Sequence, residues 1–334
     1  MELSYRRPSA KTRNAMCKAA QNLKHVKGED DEITFAENAI GKLTQHKRVQ
    51  VLNSGNSAIM AVMSCFKNRV MIPDQGAWYG FRKIAEFFGI EAVKVPTDLG
   101  LIDLEKLDEN IKQNNPEALF LTSFAGYTAE QPIKAIYEIC DENGVMLVED
   151  ASGGIGDPKG RLGNGNHAHV IVGSTGSPKT VNVGNGGFVS SNQPEIFDTA
   201  KYLIKILKAD PVTCAGIYSE AGNAEEIFEK TTAATKKLKN DVSNFREVIH
   251  PTSRGLNIIL PDRNQKLLGS EIRKKLNVPG GSIVSLSPNY NRIKARAVCI
   301  ELKNLDVKCL TPENLDEISD IIKFAGKTDS SIEF

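Results

Sequence analysis

The sequence predicts an α/β protein, with a large, mainly parallel-sheet, three-layer domain followed by a smaller C-terminal α+β domain. Two features carry this expectation. From residue 49 short apolar, β-rich runs alternate with helical patterns, and such alternation implies right-handed crossovers onto a parallel sheet. After about residue 194 the order changes to long helical stretches followed by strands, as a separate small unit would show. A length of 334 residues suits two domains and needs no disulfide or metal to support a core.

In chain order, residues 1–28 hold seven Lys/Arg and one acid, after which Glu29–Glu32 reverses the sign. This composition suits a solvated, partly helical arm over residues 1–30, with a targeting peptide or a polyanion-binding arm as alternatives. The large domain is expected over residues 31–208. Its buried strands are Val49–Leu52, Val70–Pro73, Ala92–Val95, Ala118–Thr122 and Val145–Val148. Between them lie helical patterns at Asn56–Phe66, Phe81–Phe88, Leu104–Gln113 and Pro132–Glu142, the last punctuated by Pro132 at its first turn and Gly144 after its end. Val170–Ser174 and Gly187–Ser190 read as strands with no helix between them, which predicts a local antiparallel or edge arrangement. A long amphipathic helix is expected at Pro194–Lys208. The small domain, residues 209–334, begins with a helical stretch at Ala224–Phe245. Strands at Leu256–Leu260, Ser282–Leu286 and Ala297–Leu302 follow, with helices at Ser270–Leu276 and Glu313–Phe324.

Composition removes several function classes. With 42 Lys+Arg against 41 Asp+Glu the net charge is +1, which argues against nucleic-acid backbone binding as the main activity. The best uncharged apolar run, Ala118–Ala129, is short of the roughly 20 residues that span a membrane, and the N-terminus has no apolar signal core. Six cysteines without a CxxC pair read as reduced thiols of a cytoplasmic protein.

Four segments could carry chemistry. Asn53-Ser-Gly-Asn-Ser-Ala58, between the first strand and its helix, lets backbone N–H groups at a helix start approach an anion, or merely caps the helix. It is neither a P-loop nor a GxGxxG fingerprint, so ATP and NAD are not favoured. Val145-Met-Leu-Val-Glu-Asp150 delivers two acids to a strand end, where open α/β sheets bind ligands; Asp150 could pair with a protonated ring nitrogen or cap a turn. In Gly173-Ser-Thr-Gly-Ser-Pro-Lys179 a lysine ends a Gly/Ser loop behind a buried strand, a setting that could make its amine nucleophilic, with Ser174 and Ser177 offering hydroxyls to a phosphate. Gly184-Asn-Gly-Gly187 is a tight turn into the next strand. Of the remaining signals, His167-x-His169 has no acid or thiol partner nearby and reads as structural, so no metal site is expected. Cys214 is the most loop-like thiol and is read as incidental unless the chemistry is that of a desulfurase.

Together these residues resemble the fold type I pyridoxal-phosphate enzymes, and among them the DegT-type sugar aminotransferases. Glu149-Asp150-Ala151, Ser174 five residues before Lys179, and the pair Gly186-Gly187 match that family's pattern over roughly residues 35–200. The resemblance implies pyridoxal 5'-phosphate as cofactor, a Schiff base on Lys179, and Asp150 on the pyridinium nitrogen. It further implies a phosphate held by Ser54, Gly55, Asn56 and Ser174, and an aromatic cover for the ring, Trp78 in preference to Tyr79. An Arg of the small domain, Arg296 in preference to Arg292, could clamp a substrate carboxylate. A homodimer acting on a small-molecule amino donor and acceptor is implied as well. Asn185 and His169 stand where the family commonly has acids, and Asp74–Tyr79 departs from its usual Ser-x-Thr-aromatic stretch, so the substrate is left open. The same Lys and Asp would serve a carbon–sulfur lyase, a desulfurase or a tRNA-linked Cys/Sec synthase. A non-catalytic scaffold of the same fold is a further alternative.

Overall fold

The computed structural model describes residues 1–23, 31–276, 278–289 and 293–326. Ten strands of four or five residues and twelve α-helices carry the argument. The strands are β1 (Arg48–Leu52), β2 (Arg69–Pro73), β3 (Glu91–Val95), β4 (Ala118–Thr122), β5 (Met146–Asp150), β6 (Val170–Ser174), β7 (Gly187–Ser191), β8 (Ile258–Pro261), β9 (Val284–Ser287) and β10 (Ala297–Ile300). The helices are α1 (Ala10–Gln21), α2 (Glu32–Thr44), α3 (Gly55–Met63), α4 (Gly80–Phe87), α5 (Leu104–Asn114), α6 (Ile133–Glu142), α7 (Pro194–Thr199), α8 (Lys201–Leu207), α9 (Pro211–Ala221), α10 (Ala224–Ser243), α11 (Gln265–Lys275) and α12 (Pro312–Phe324).

The first seven strands make one sheet in the order β1-β7-β6-β5-β4-β2-β3, parallel except for β7. Alternate residues of each strand serve opposite layers, as a sheet covered on both faces requires. Phe120 and Val148 join Phe81 and Ile59 on one side, whereas Leu119, Leu121 and Leu147 join Ile111 and Ile136 on the other. Burial of each such side chain contributes about 1.5–3 kcal/mol. The three-layer α/β expectation therefore holds. The expected antiparallel arrangement of residues 170–174 and 187–191 also holds, but β7 lies inside the sheet and β1 takes the edge. That insertion positions the site: Gly187 pairs with Leu52 on one side and with Ser174 on the other, so the end of β1 and the end of β6 meet.

The single helix expected at Pro194–Lys208 is instead two, because the backbone leaves the helical line at Ala200. α9 lies beyond the expected boundary at residue 208. It packs on α1 and α2, and its Cys214 and Ile217 share a core with Val51 and Phe188. The second sheet is three-stranded and antiparallel in the order β8-β10-β9, with a core drawn from α10, α11 and α12. The N-terminal residues run across this part: Leu3 joins its core, and the Arg6 N–H donates to the Asn304 carbonyl at 2.8 Å. Among the described residues no helix is long and apolar enough to cross a membrane.

Candidate active site

A cavity of about 200 Å³ opens at the C-terminal ends of the parallel strands. Ser54, Gly55, Asn56, Trp78, Asp150, Ser174 and Lys179, spread over 126 positions of sequence, all line it. Each arrives on a different turn of the chain, and the local reasons are separable.

Ser54 caps α3: its Oγ accepts from the Ser57 N–H at 3.1 Å, leaving the Gly55 and Asn56 N–H groups at the first turn facing the cavity end of the helix. Gly55 is required by packing. A Cβ there would stand 2.6 Å from Ser174 Cβ and 2.9 Å from its Cα, so only glycine lets the helix start close on the end of β6. The result is a small-residue cradle with the positive end of a helix dipole, which suits a phosphate.

At the floor, Asp150 ends β5 between Thr122 of β4 and Val172 of β6. Its Oδ1 accepts from Ser152 N–H at 2.9 Å and Ser152 Oγ–H at 2.5 Å, and Ser152 Oγ in turn accepts from the Ser174 N–H at 2.8 Å. Burial pushes the Asp150 carboxyl up from its ordinary value, against the opposing Ser152 hydrogen bonds and the Lys179 charge. A desolvated carboxyl of this kind gains from a cationic N–H presented to it. Its neighbour Glu149 points the other way, into the layer beneath. It accepts from Ser123 Oγ–H at 2.6 Å and from Gly163 N–H at 3.0 Å, and burial raises it to about 7. Two adjacent acids thus divide the work, one lining the site and one anchoring the 163 turn.

Lys179 projects into the cavity from the loop after β6, where its Nζ donates to Tyr127 Oη at 2.7 Å. Trp78 forms a wall, oriented by Nε1–H donating to Asn56 Oδ1 at 2.9 Å; Tyr79 is exposed and outside the lining. Tyr127, Thr122 and Ser152 line the cavity too, and the sequence reading missed all three. Ser152 follows directly on the acid pair, which is a usable signal. Tyr127 gives none, for it sits in a short hairpin between Phe124–Ala125 and Ala129–Glu130 with φ of 64°.

Arg296 does not join this group. It is exposed ahead of β10, its carbonyl accepting from the Asp262 N–H, and Arg292 lies outside the described residues. Cys214 is not loop-like as expected but fully buried inside α9, where burial pushes its thiol up to about 12, in keeping with an incidental core thiol. His169 is tied to structure, with Nδ1 accepting from Leu147 N–H at 2.9 Å, and no cluster of three metal-ligating side chains occurs among the described residues. A wider groove of about 1000 Å³ runs between α1, α2 and α9, but among the described residues no carboxylate lines it, and the motif residues lie elsewhere.

Against known proteins, the model of the DegT/DnrJ/EryC1/StrS aminotransferase family matches residues 9–210. The chain belongs to that family. A second model, described as the MJ1341 family C-terminal domain, matches residues 225–323. The fold of this DegT-family chain is similar to that of Helicobacter pylori PseC, an aminotransferase involved in the biosynthesis of pseudoaminic acid. The TM-score is 0.77 at 15% identity, covering 96% of this chain and 98% of that one. It is also similar to a serine palmitoyltransferase with PLP, at a TM-score of 0.76 and 14% identity, covering 96% and 86%. Their common architecture is that of the fold type I transferases. A curated relative, the probable glycine dehydrogenase (decarboxylating) subunit 1 of Aeropyrum pernix, is 29% identical over 143 residues, and the chain spans 30% of its length.

Proposed function

We propose that this DegT-family chain binds pyridoxal 5'-phosphate and moves an amino group between a small-molecule donor and acceptor, with Lys179 as the covalent anchor. The observation that carries the reading is the meeting of an amine, a desolvated carboxyl and a helix-start cradle around one cavity. The donor set fits the group: backbone N–H and serine hydroxyls for a phosphate, a carboxylate for a ring nitrogen, a primary amine for an aldehyde, and an indole for a ring face. When bound, the cofactor supplies an electron sink for the bonds at the substrate α-carbon.

The roles of the chain's own residues follow from their chemistry. Gly55, Asn56, Ser54 and Ser174 bind the phosphate, which fixes the depth of entry. Asp150, oriented by the two Ser152 hydrogen bonds, would hold the ring nitrogen and keep it protonated. Trp78 covers one face and keeps water from it. The Lys179 amine would anchor the cofactor's aldehyde and would serve as the base that moves a proton at the substrate α-carbon.

We further propose a cytoplasmic homodimer. In support, the six cysteines include no CxxC pair, and Phe87, Tyr202 and Ile206 expose large apolar surface at 71%, 74% and 56%. The test of the activity is Lys179→Ala against a panel of amino donors, following the change each produces in the visible absorbance of the cofactor. The variant is expected to bind the cofactor and to form at most a stable adduct with the donor, losing the conversion that follows it. A wild-type rate in Lys179→Ala would overturn the reading.

A further inference from the structure

Tyr127 is built into the site with more care than a wall residue needs. Its backbone is clamped from the small-domain side: the Tyr127 carbonyl accepts from Leu256 N–H at 2.7 Å and Asn257 N–H at 3.3 Å. The next carbonyl, that of Thr128, accepts from Lys239 Nζ at 2.6 Å, and Lys239 is fully buried with its other donors on the His250 and Ser253 carbonyls. The ring packs over Gly153, where an added Cβ would meet Tyr127 Cε1 at an ordinary 3.4 Å and would crowd Leu256 Cδ1 at 2.8 Å. The clamp delivers the phenolic oxygen to a single place, 2.7 Å from Lys179 Nζ.

We propose that Tyr127 is a further catalytic residue, which in its phenolate form takes a proton from the Lys179 ε-ammonium to become the neutral phenol and later returns it, presenting the amine in its neutral, nucleophilic form. The inference rests on the reading of Lys179 as the anchor. In the transfer one N–H bond breaks and one O–H bond forms, the charge on the pair is conserved, and no other reactant is needed. A neutral amine is the form that adds to a carbonyl or abstracts a proton.

The charges around the phenol favour its anion. Lys303 Nζ lies 4.8 Å from the ring centroid, and Arg6 and Lys303 line the same small recess as Tyr127 and Lys179. Asp150 across the cavity works the other way, and Glu301, bonded to Lys303 at 3.4 Å, is the nearby acid on the Lys303 side. Burial alone would raise the phenol, but the Lys179 and Lys303 charges outweigh it and hold Tyr127 below the ordinary tyrosine range.

Tyrosinate ultraviolet absorbance of the cofactor-free protein reads this directly. Of the seven tyrosines, one is expected to ionise below the usual value near 10, because the Lys179 and Lys303 charges outweigh its burial. The early step should vanish in Tyr127→Phe and move to higher pH in Lys179→Met. All seven titrating together near 10, or an early step surviving in Tyr127→Phe, would overturn the proposal. A second readout is the pH profile of pyridoxal phosphate capture by Lys179, trapped with borohydride. Tyr127→Phe should slow capture near neutral pH by about 100-fold and displace the profile to higher pH. An unchanged profile would sink the inference. Absence of capture on Lys179 in the wild type would instead sink the anchor reading, and the two failures are thereby told apart.

Discussion

Gly55→Ala probes the phosphate cradle with one methyl group. The added Cβ would stand 2.6 Å from Ser174 Cβ and 2.9 Å from Ser174 Cα, where ordinary contact begins at 3.4 Å. The start of α3 and the end of β6 must therefore part by about 0.8 Å, since neither obstacle is the end of a flexible side chain. Overpacking of this kind costs about 1–3 kcal/mol of stability. The larger effect falls on binding. A displaced helix start forfeits at least one charge-assisted hydrogen bond to the phosphate, about 1.5–3 kcal/mol, or roughly 10- to 150-fold in affinity. Titration of the folded protein with pyridoxal phosphate, followed by visible absorbance, measures the loss, and thermal unfolding measures the stability. Gly144→Ala is the control. Its glycine has φ of 68° at the end of α6 with nothing within 4 Å, so it should lose stability and keep full affinity. Wild-type affinity in a folded Gly55→Ala protein would refute the cradle.

Three further outcomes are expected. Arg254→Met should destabilise the protein by about 3–5 kcal/mol at neutral pH, read by denaturant unfolding. Its guanidinium meets both Asp157 oxygens at 2.7 Å and Glu130 at 2.5 Å, and its loss leaves the buried Asp157 carboxylate without its counter-charge, held only by the Lys159 and Arg161 N–H groups. Burial opposes the Asp157 charge, but Arg254 outweighs it and depresses the carboxyl, so this stability should be lost as pH falls through the carboxylate range in the wild type and be missing from the variant. Glu149, raised by burial to about 7, binds a proton in the native state that the unfolded chain has released; it therefore contributes a fall in stability as pH rises from about 4.5 to 7, of up to about 1.4 kcal/mol per pH unit. Glu149→Gln should flatten that slope in unfolding measured across the window, and an unchanged slope would count against it. Cys214→Ser should leave the cofactor affinity and amino-transfer rate within twofold of wild type, because the thiol is buried in α9 away from the cavity.

Much of the site was legible because its parts are local. A run such as Ala118–Thr122, buried on both faces, announces a central strand. The acid pair at 149–150, the Gly/Ser loop before Lys179 and the small residues at 53–58 each sit at a strand end that the alternation already locates. Other features depend on distance in the chain. Tyr127 reaches Lys179 across 52 residues from a hairpin with no marked composition, so nothing near it in sequence points to the cavity. The inward place of β7 is a matter of pairing, not of its own residues. α9 escaped for a different reason. Seven of its eleven residues are buried, so it shows no polar face, and only Asp210-Pro211, the cap and first turn, marked its start. Arg296 fails in the opposite direction. Its setting ahead of a small-domain strand is legible, but its side chain faces solvent.

The most direct test of the account is to load the protein with pyridoxal phosphate, reduce it with borohydride and locate the modified lysine by peptide mass spectrometry. The account expects one modification, on Lys179, abolished in Lys179→Ala. Label on a different lysine, or a protein that takes up none, would contradict it.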